Sequence, residues 1–326
     1  MRKELHRITL RQLQVFRTLC STLSYSRTAE EMALTQPAVS LQMRQLEELV
    51  GQPLFEYVGR KLYLTEAANL LLAASTDMFN RLDILDMQLE ALQGTLHGEL
   101  RLAVASSIQY LTPHLLAAFR QRHPQVSFRL EVSTRAEVIR RLRDNLDDLV
   151  LMEMVPADRA LDFFPFLNNP VIAVAAPDHP LVGRRQLKLA ELESQTVLLR
   201  EAGSGVRKAC DEFFQQKRVH LQQAMDMGSG ETVVQAAIAG LGIGLVAAHS
   251  ASAWLRSGQL VQLDFSDLPL FRRWCAVHAR GKRLSPVAEA FLAFLREERT
   301  GQAAGGALRL AGNFPARSAQ LCLNEG

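Results

Sequence analysis

Helix and strand signals over 326 residues predict an α/β chain in three parts: a small helical head closed by a hairpin, one long helix, and a two-lobed α/β half. Three observations predict it. Helical spacing governs residues 10–50 and gives way to two short strands around Gly59-Arg60-Lys61; apolar residues then recur three and four apart from Leu71 to Leu92; from Glu99 onward short apolar runs alternate with amphipathic segments. At 48% hydrophobic residues, the chain has material for more than one core. The expected boundaries are 1–65 for the head, 66–97 for the long helix and a hinge, 98–300 for the two-lobed half and 301–326 for a flexible tail. Within the two-lobed half, lobe 1 takes about 98–173 and 276–300, and lobe 2 about 174–275.

In the head, Leu10, Leu13, Phe16 and Leu19 mark a first helix, and Ser26 is placed to cap a second that runs to Met32. Ala29 and Ala33 are small enough for two helices to cross closely. Leu34-Thr35-Gln36 turns the chain, and Pro37 falls in the first turn of a third helix, where a missing amide is tolerated. Val39, Met43, Leu46 and Val50 form its buried stripe, leaving Gln36, Pro37, Ser40, Leu41 and Arg44 outward. A short polar edge of this kind fits base edges in a major groove, where Gln pairs with adenine and Ser donates or accepts. Gln36, Pro37, Ser40 and Leu41 are therefore the base-contact candidates. Arg60 and Lys61 at the hairpin tip, with Arg27 and Arg44, are the candidates for backbone phosphate. Three helices followed by a basic-tipped hairpin make a winged helix-turn-helix, and double-stranded promoter DNA is its expected partner.

Thr65 is placed to cap the long helix of about thirty residues. Its apolar positions Leu71, Met78, Leu82, Leu85, Leu89 and Leu92, with Ser75 between, follow the three-and-four spacing of a coiled-coil seam. Such a seam needs a partner helix, so a homodimer is expected. Gly94 and Gly98 close the element.

The third part reads as two βαβ series with a largely parallel sheet: strands at 100–105, 126–132, 149–152, 171–176, 197–199 and 243–246, with a returning segment near Trp274 to His278. Two lobes joined by crossing strands create a cleft for a small molecule. Residues at the carboxyl ends of strands and the starts of helices line such clefts, which points to Ser106, Ser107, Thr134, Arg135, Glu153, Ser204, Gly205, Val206, Arg207, Gly228 and Thr232. A serine and glycine opening a helix beside Arg207 suit phosphate or carboxylate. Glu153 is placed to orient or repel an acidic ligand, or to pair with Arg135.

Chemistry is thinly signalled. Eight histidines lack metal-ligand spacing, the four cysteines Cys20, Cys210, Cys275 and Cys322 are far apart, and Gly240-Leu241-Gly242-Ile243-Gly244 precedes a strand where a dinucleotide fingerprint would follow one. No catalytic residue, metal ligand or cofactor is assigned, and no enzyme is expected. The net charge of +3 is only mildly basic, so a nucleic-acid footprint has to be local. MRKELHRITLRQL lacks the apolar core of an export signal and no apolar run reaches membrane length, so a cytoplasmic location is expected. The alternative is a solute-binding module whose head only oligomerises, or, further off, an enzyme using the cleft.

Over residues 8–297 the chain resembles the LysR-type transcriptional regulators, through Ser24-Tyr25-Ser26 with Ala29, Thr35-Gln36-Pro37-Ala38-Val39-Ser40, Gln42, Leu46-Glu47, Gly51-Gln52-Pro53-Leu54-Phe55 and Leu64-Thr65. The resemblance implies a head that binds inverted repeats with a T-N11-A core as a dimer or tetramer. It also implies an effector half resembling periplasmic binding proteins, and RNA polymerase as a further partner. Ala68 stands where many members have glycine. The effector half is most similar to regulators of Calvin-cycle (RuBisCO) operons, through Pro165-Phe166, Asn168-Asn169-Pro170, Pro177-Asp178-His179-Pro180-Leu181 and Arg200 to Arg207. That similarity implies a phosphorylated sugar or NADPH as effector, consistent with the phosphorylated metabolite or carboxylate that the Ser204 to Arg207 segment suits. Glu153 departs from the glycine expected after Met152 and adds negative charge near the cleft.

Overall fold

A computed structural model describes residues 3–92 and 95–301. Gly94, Cys322 and the tail from residue 302 lie outside the described residues. The described chain falls into two compact units that divide after Asp86.

In the first unit, Thr9 opens α1 (Leu10–Thr22) with a reciprocal cap: its hydroxyl accepts from the Gln12 amide and the Gln12 side chain accepts from the Thr9 amide. Leu23 ends α1 in the left-handed conformation, which turns the chain early. Ser24, and not Ser26, therefore caps α2 (Tyr25–Glu31), accepting from the Arg27 amide. Thr35 caps α3 (Gln36–Val50) with Pro37 in its first turn. Val15, Phe16, Leu19, Ala29, Val39, Met43 and Leu46 share one core. Leu10, expected on the buried stripe, is exposed. At about 100° per residue it falls opposite the arc centred on Phe16 and Leu19, and Val15 takes its place. Ala33 is not at a helix crossing either; it holds a φ of +51° in the turn after α2.

Strands β1 (Phe55–Val58) and β2 (Lys61–Leu64) form the hairpin, and Val58 opposite Lys61 leaves Gly59-Arg60 as a two-residue tip. Gly59 takes a φ of +64° there, which glycine adopts without steric cost. The hairpin is tied down at its base: Glu47 Oε1 accepts from the Leu54 amide at 2.8 Å and the Thr65 hydroxyl donates to the Pro53 carbonyl at 2.8 Å. Helix α4 (Glu66–Ala91) has 26 residues, slightly fewer than expected. Ala68 in its first turn is fully buried in the head core, where a larger residue would not fit without displacement.

Among the described residues the second unit holds one sheet of nine strands. In lobe 1, β3 (Gly98–Ala105) lies parallel to both β4 (Val126–Ser133) and β5 (Leu149–Met152). In lobe 2, β7 (Thr196–Arg200) lies parallel to β8 (Gln223–Met227) and β9 (Ile243–Ala247). A short β10 (Val261–Gln262) adds to the long strand β6 (Leu161–Ala175). That strand and β11 (Leu270–Ala279) pair antiparallel and carry the chain between the lobes.

Alternation along the strands builds both faces. Leu100, Leu102 and Val104 meet α5 (Thr112–Arg122) and α10 (Pro286–Gly301), whereas Ala103 and Ala105 meet α6 (Arg135–Arg143). In lobe 2, Val197 and Leu199 pack on α7 (Gly205–Lys217); Leu198 packs on α8 (Gly230–Ile238), beside α9 (Ala248–Arg256). On β6, Phe166 and Leu167 belong to the lobe 1 core and Val171 already to that of lobe 2, while Trp274 on β11 is back in lobe 1. The crossings thus fall a few residues earlier than expected on each strand. Helix α10 runs to Gly301, one residue into the segment assigned to the tail. No helix among the described residues is long and apolar enough to cross a membrane.

Candidate functional site

On the head, the start of α3 stands clear of the core. Gln36, Pro37, Leu41 and Arg44 are exposed and Ser40 is half-buried, while Val39, Met43 and Leu46 on the other side of the same helix are fully covered. The Thr35 hydroxyl accepts from the Ala38 amide, so the edge is presented by a capped, rigid helix end. Arg27, Arg60 and Lys61 are exposed. One polar edge, with a thymine-methyl-sized apolar contact at Leu41 and cations beside it, is chemically suited to reading a groove while holding its phosphate walls.

Along α4, Met78, Leu82, Leu85 and Leu89 are all exposed in the single chain, Leu82 at 41% and Leu89 at 54%, and Leu92, expected on the helix, is exposed just past its end. Leu71 is half-buried against the head core and Ser75 is buried. An exposed apolar row at heptad spacing has no reason to face water.

In the second unit the cleft is built around a residue absent from the expected set. Arg200 ends β7 and is buried; its Nε and Nη2 donate to Glu201 at 2.7 Å each, and Nη2 also donates to Ser106 Oγ at 3.0 Å, across from lobe 2 to lobe 1. Tyr110 makes a second bridge, donating its hydroxyl to Glu231 Oε2 at 2.9 Å. Burial and that carboxylate push the Tyr110 hydroxyl above its ordinary range. The position of Arg200 at the carboxyl end of a strand is the signal by which sequence reasoning would have found it.

Glu153 is almost wholly buried just after β5. Its Oε2 accepts from Asn169 Nδ2 on β6 at 2.7 Å, not from Arg135, whose Nη2 donates instead to the Met154 carbonyl at 2.6 Å. The Ser107 hydroxyl lies beside the carboxyl but outside directed hydrogen-bond geometry. His249 stands 5.0 Å from the Trp274 ring, and its own burial holds it below the usual imidazole range. Ser204 caps α7 by accepting from the Arg207 amide at 3.0 Å, and Gly205 is buried beneath Glu153. Three expected ligand residues are turned elsewhere. Val206 packs in the lobe 2 core; Arg207 donates to Asp211, Asp226 and the Arg200 carbonyl; Arg135 donates to the Met154 carbonyl. Thr134 is an exposed cap of α6, and Gly228 and Thr232 are exposed near the start of α8.

Burial raises the Glu153 carboxyl, against the opposing pull of Asn169, Arg200 and Arg272. Its folded-state value therefore lies above the unfolded one, and the stabilisation it contributes at low pH is lost as pH rises through the folded value. Glu153→Gln is expected to gain stability over the native protein at pH 8 and to lose that advantage toward pH 5. Thermal melts at the two pH values measure this, and an equal difference at both would contradict it.

Two family models match the chain: "Bacterial regulatory helix-turn-helix protein, lysR family" over residues 10–69, and "LysR substrate binding domain" over residues 93–300. The RuBisCO operon transcriptional regulator of Allochromatium vinosum is 42% identical over 291 residues, covering 89% of this chain and 96% of the relative. The transcriptional activator CmpR of Synechocystis is 39% identical over 287 residues, covering 88% and 94%. Among solved structures, the regulatory domain of Synechocystis CcmR in complex with 2-PG is 33% identical, covers 62% of this chain and 97% of that one, and superposes with a TM-score of 0.59. Full-length CbnR complexed with its target DNA shares the fold at 18% identity, with 89% and 100% covered and a TM-score of 0.66.

Proposed function

This chain belongs to the LysR family of bacterial regulatory helix-turn-helix proteins, and from that premise we propose how its residues do the work of a DNA-binding transcriptional regulator. It is not an enzyme. As a dimer, assembled further as a pair of dimers, it reads separated half-sites through Gln36, Pro37, Ser40 and Leu41, and grips phosphate with Arg27, Arg44, Arg60 and Lys61. A small phosphorylated metabolite or carboxylate enters the cleft between the lobes and shifts their angle. DNA bending and contact with RNA polymerase change in consequence. NADPH is a second candidate effector. The target is a carbon-fixation operon, and the protein works in the cytoplasm.

The observation that carries this reading is the exposed, capped edge at Gln36 on a helix whose other face is sealed in the head core. The similarity to a RuBisCO operon regulator and to a domain bound to 2-PG supports the choice of operon and effector. Footprints on the promoter beside the gene, with and without 2-phosphoglycolate, glycerol 3-phosphate and NADPH, test it. The expected result is a shortened or shifted footprint with at least one of them, and a footprint unchanged by all three would overturn the effector part.

Base reading and phosphate grip separate under mutation. Arg60→Ala with Lys61→Ala should weaken binding to specific and random DNA alike and reduce the slope of log affinity against log salt by about two. Gln36→Ala should instead cost roughly 1–3 kcal/mol on the operator and little on random DNA. Equal losses on both DNAs for all three changes, measured by fluorescence anisotropy across salt, would refute the division.

A further inference from the structure

Two helix starts of lobe 2 are chemically unlike. At the start of α8, Arg200 has an Nη1 that makes no hydrogen bond among the described residues and stands 3.4 Å from where a Cβ on Gly230 would lie. That remaining edge of a buried guanidinium, whose Nε and Nη2 are held by Glu201, forms an anion seat beside the amides of a helix start. The start of α7 would offer a second such seat, but Glu153, arriving from lobe 1, fills it. A Cβ on Gly205 would fall 2.6 Å from Glu153 Cγ and 2.7 Å from its Oε1, so only glycine lets the carboxyl come so close. Glu153 Oε1 and Asn169 Oδ1 are both buried and accept no hydrogen bond among the described residues.

Resting on the reading of this cleft as the effector site, we propose that Glu153 determines its specificity. The carboxyl occupies the second anion place, so the cleft selects a polyol or sugar monophosphate that sets its phosphate on Arg200 and a hydroxyl on Glu153. It rejects a ligand that brings a second anionic group there. A hydroxyl satisfies the Glu153 and Asn169 oxygens because it donates, and it still serves a protonated carboxyl because it also accepts. A carboxylate of the ligand does neither for an ionised Glu153, and repels it at close range. A site built to hydrogen-bond a hydroxyl discriminates strongly against ligands that lack it, since its buried polar atoms would otherwise stay unpaired.

Titration calorimetry on the full-length protein tests this with two small probes: glycerol 3-phosphate, one phosphate and two hydroxyls, and 2-phosphoglycolate, one phosphate and one carboxylate. The native protein should bind glycerol 3-phosphate at least roughly tenfold more tightly. Glu153→Gln keeps the shape and removes the charge, and should cut that ratio by about fivefold or more, mainly by gaining affinity for 2-phosphoglycolate. A native preference for 2-phosphoglycolate overturns the proposal without any variant being needed, and so does a ratio that Glu153→Gln leaves within about twofold. If the native protein binds its operator but gives no heat with either probe, the anionic-effector reading falls and this proposal with it.

Discussion

Replacing Leu82 and Leu89 together by glutamate is expected to convert the protein from dimer to monomer and to weaken operator binding by roughly a hundredfold or more. Both side chains are exposed in the single chain and sit seven residues apart on α4, in one row with Met78 and Leu85, and Leu92 follows just past the helix end. In a paired seam the glutamates would bring like charges from the two copies together, adding repulsion to the lost apolar burial. The loss on DNA follows from geometry. Two linked heads bind the second half-site at high effective concentration, and a lone head does not. Analytical ultracentrifugation reads the mass and anisotropy reads the affinity; a variant that stays dimeric with native affinity would show that α4 is covered by something other than a second copy.

Arg200→Gln should lower the affinity for a phosphorylated effector by about thirtyfold or more, the equivalent of ~2 kcal/mol. The change removes the cation, leaves Glu201 without its two-point partner, and deletes the bond to Ser106 that spans the lobes. Arg200→Lys restores charge but not the fork, so it should recover only part of the loss. Calorimetry with the same phosphate probes measures all three proteins. An Arg200→Gln protein that binds within about threefold of native would place the anion elsewhere. A melting curve for each variant separates a lost ligand contact from a lost fold.

Much of the architecture was legible because the relevant signals are local. Thr35 and Pro37 announce a helix start by their own chemistry, and Val39, Met43 and Leu46 mark its covered side by spacing alone. What escaped notice depends on distant partners. Strand β8 is mostly exposed at the sheet edge and shows no alternation, and β6 carries Pro165 and Pro170, which argue against a strand until β11 is seen beside it. The surroundings of the cleft residues are hard to read from sequence for the same reason. Arg207 looked free beside a serine and glycine, but Asp226, nineteen residues on, comes next to it only when β8 pairs with β7. Arg200 directly follows the expected apolar strand 197–199, but the bridge it makes depends on Ser106, which only folding brings from the other lobe.

The two crossings between lobes are not slack coils but a hydrogen-bonded ribbon, with β6 and β11 in register from Leu161 and Ala279 at one end to Val171 and Leu270 at the other. A ribbon of this kind resists being swung open like a door and yields more readily to torsion along its length. Its ladder slips once, between Trp274 and Cys275, where Phe166 bulges out of register in the lobe 1 core. A bulge concentrates twist. A movement of one lobe against the other is therefore expected as a twist of this ribbon centred on Phe166, a rotation of the lobes with little change in the distance between them.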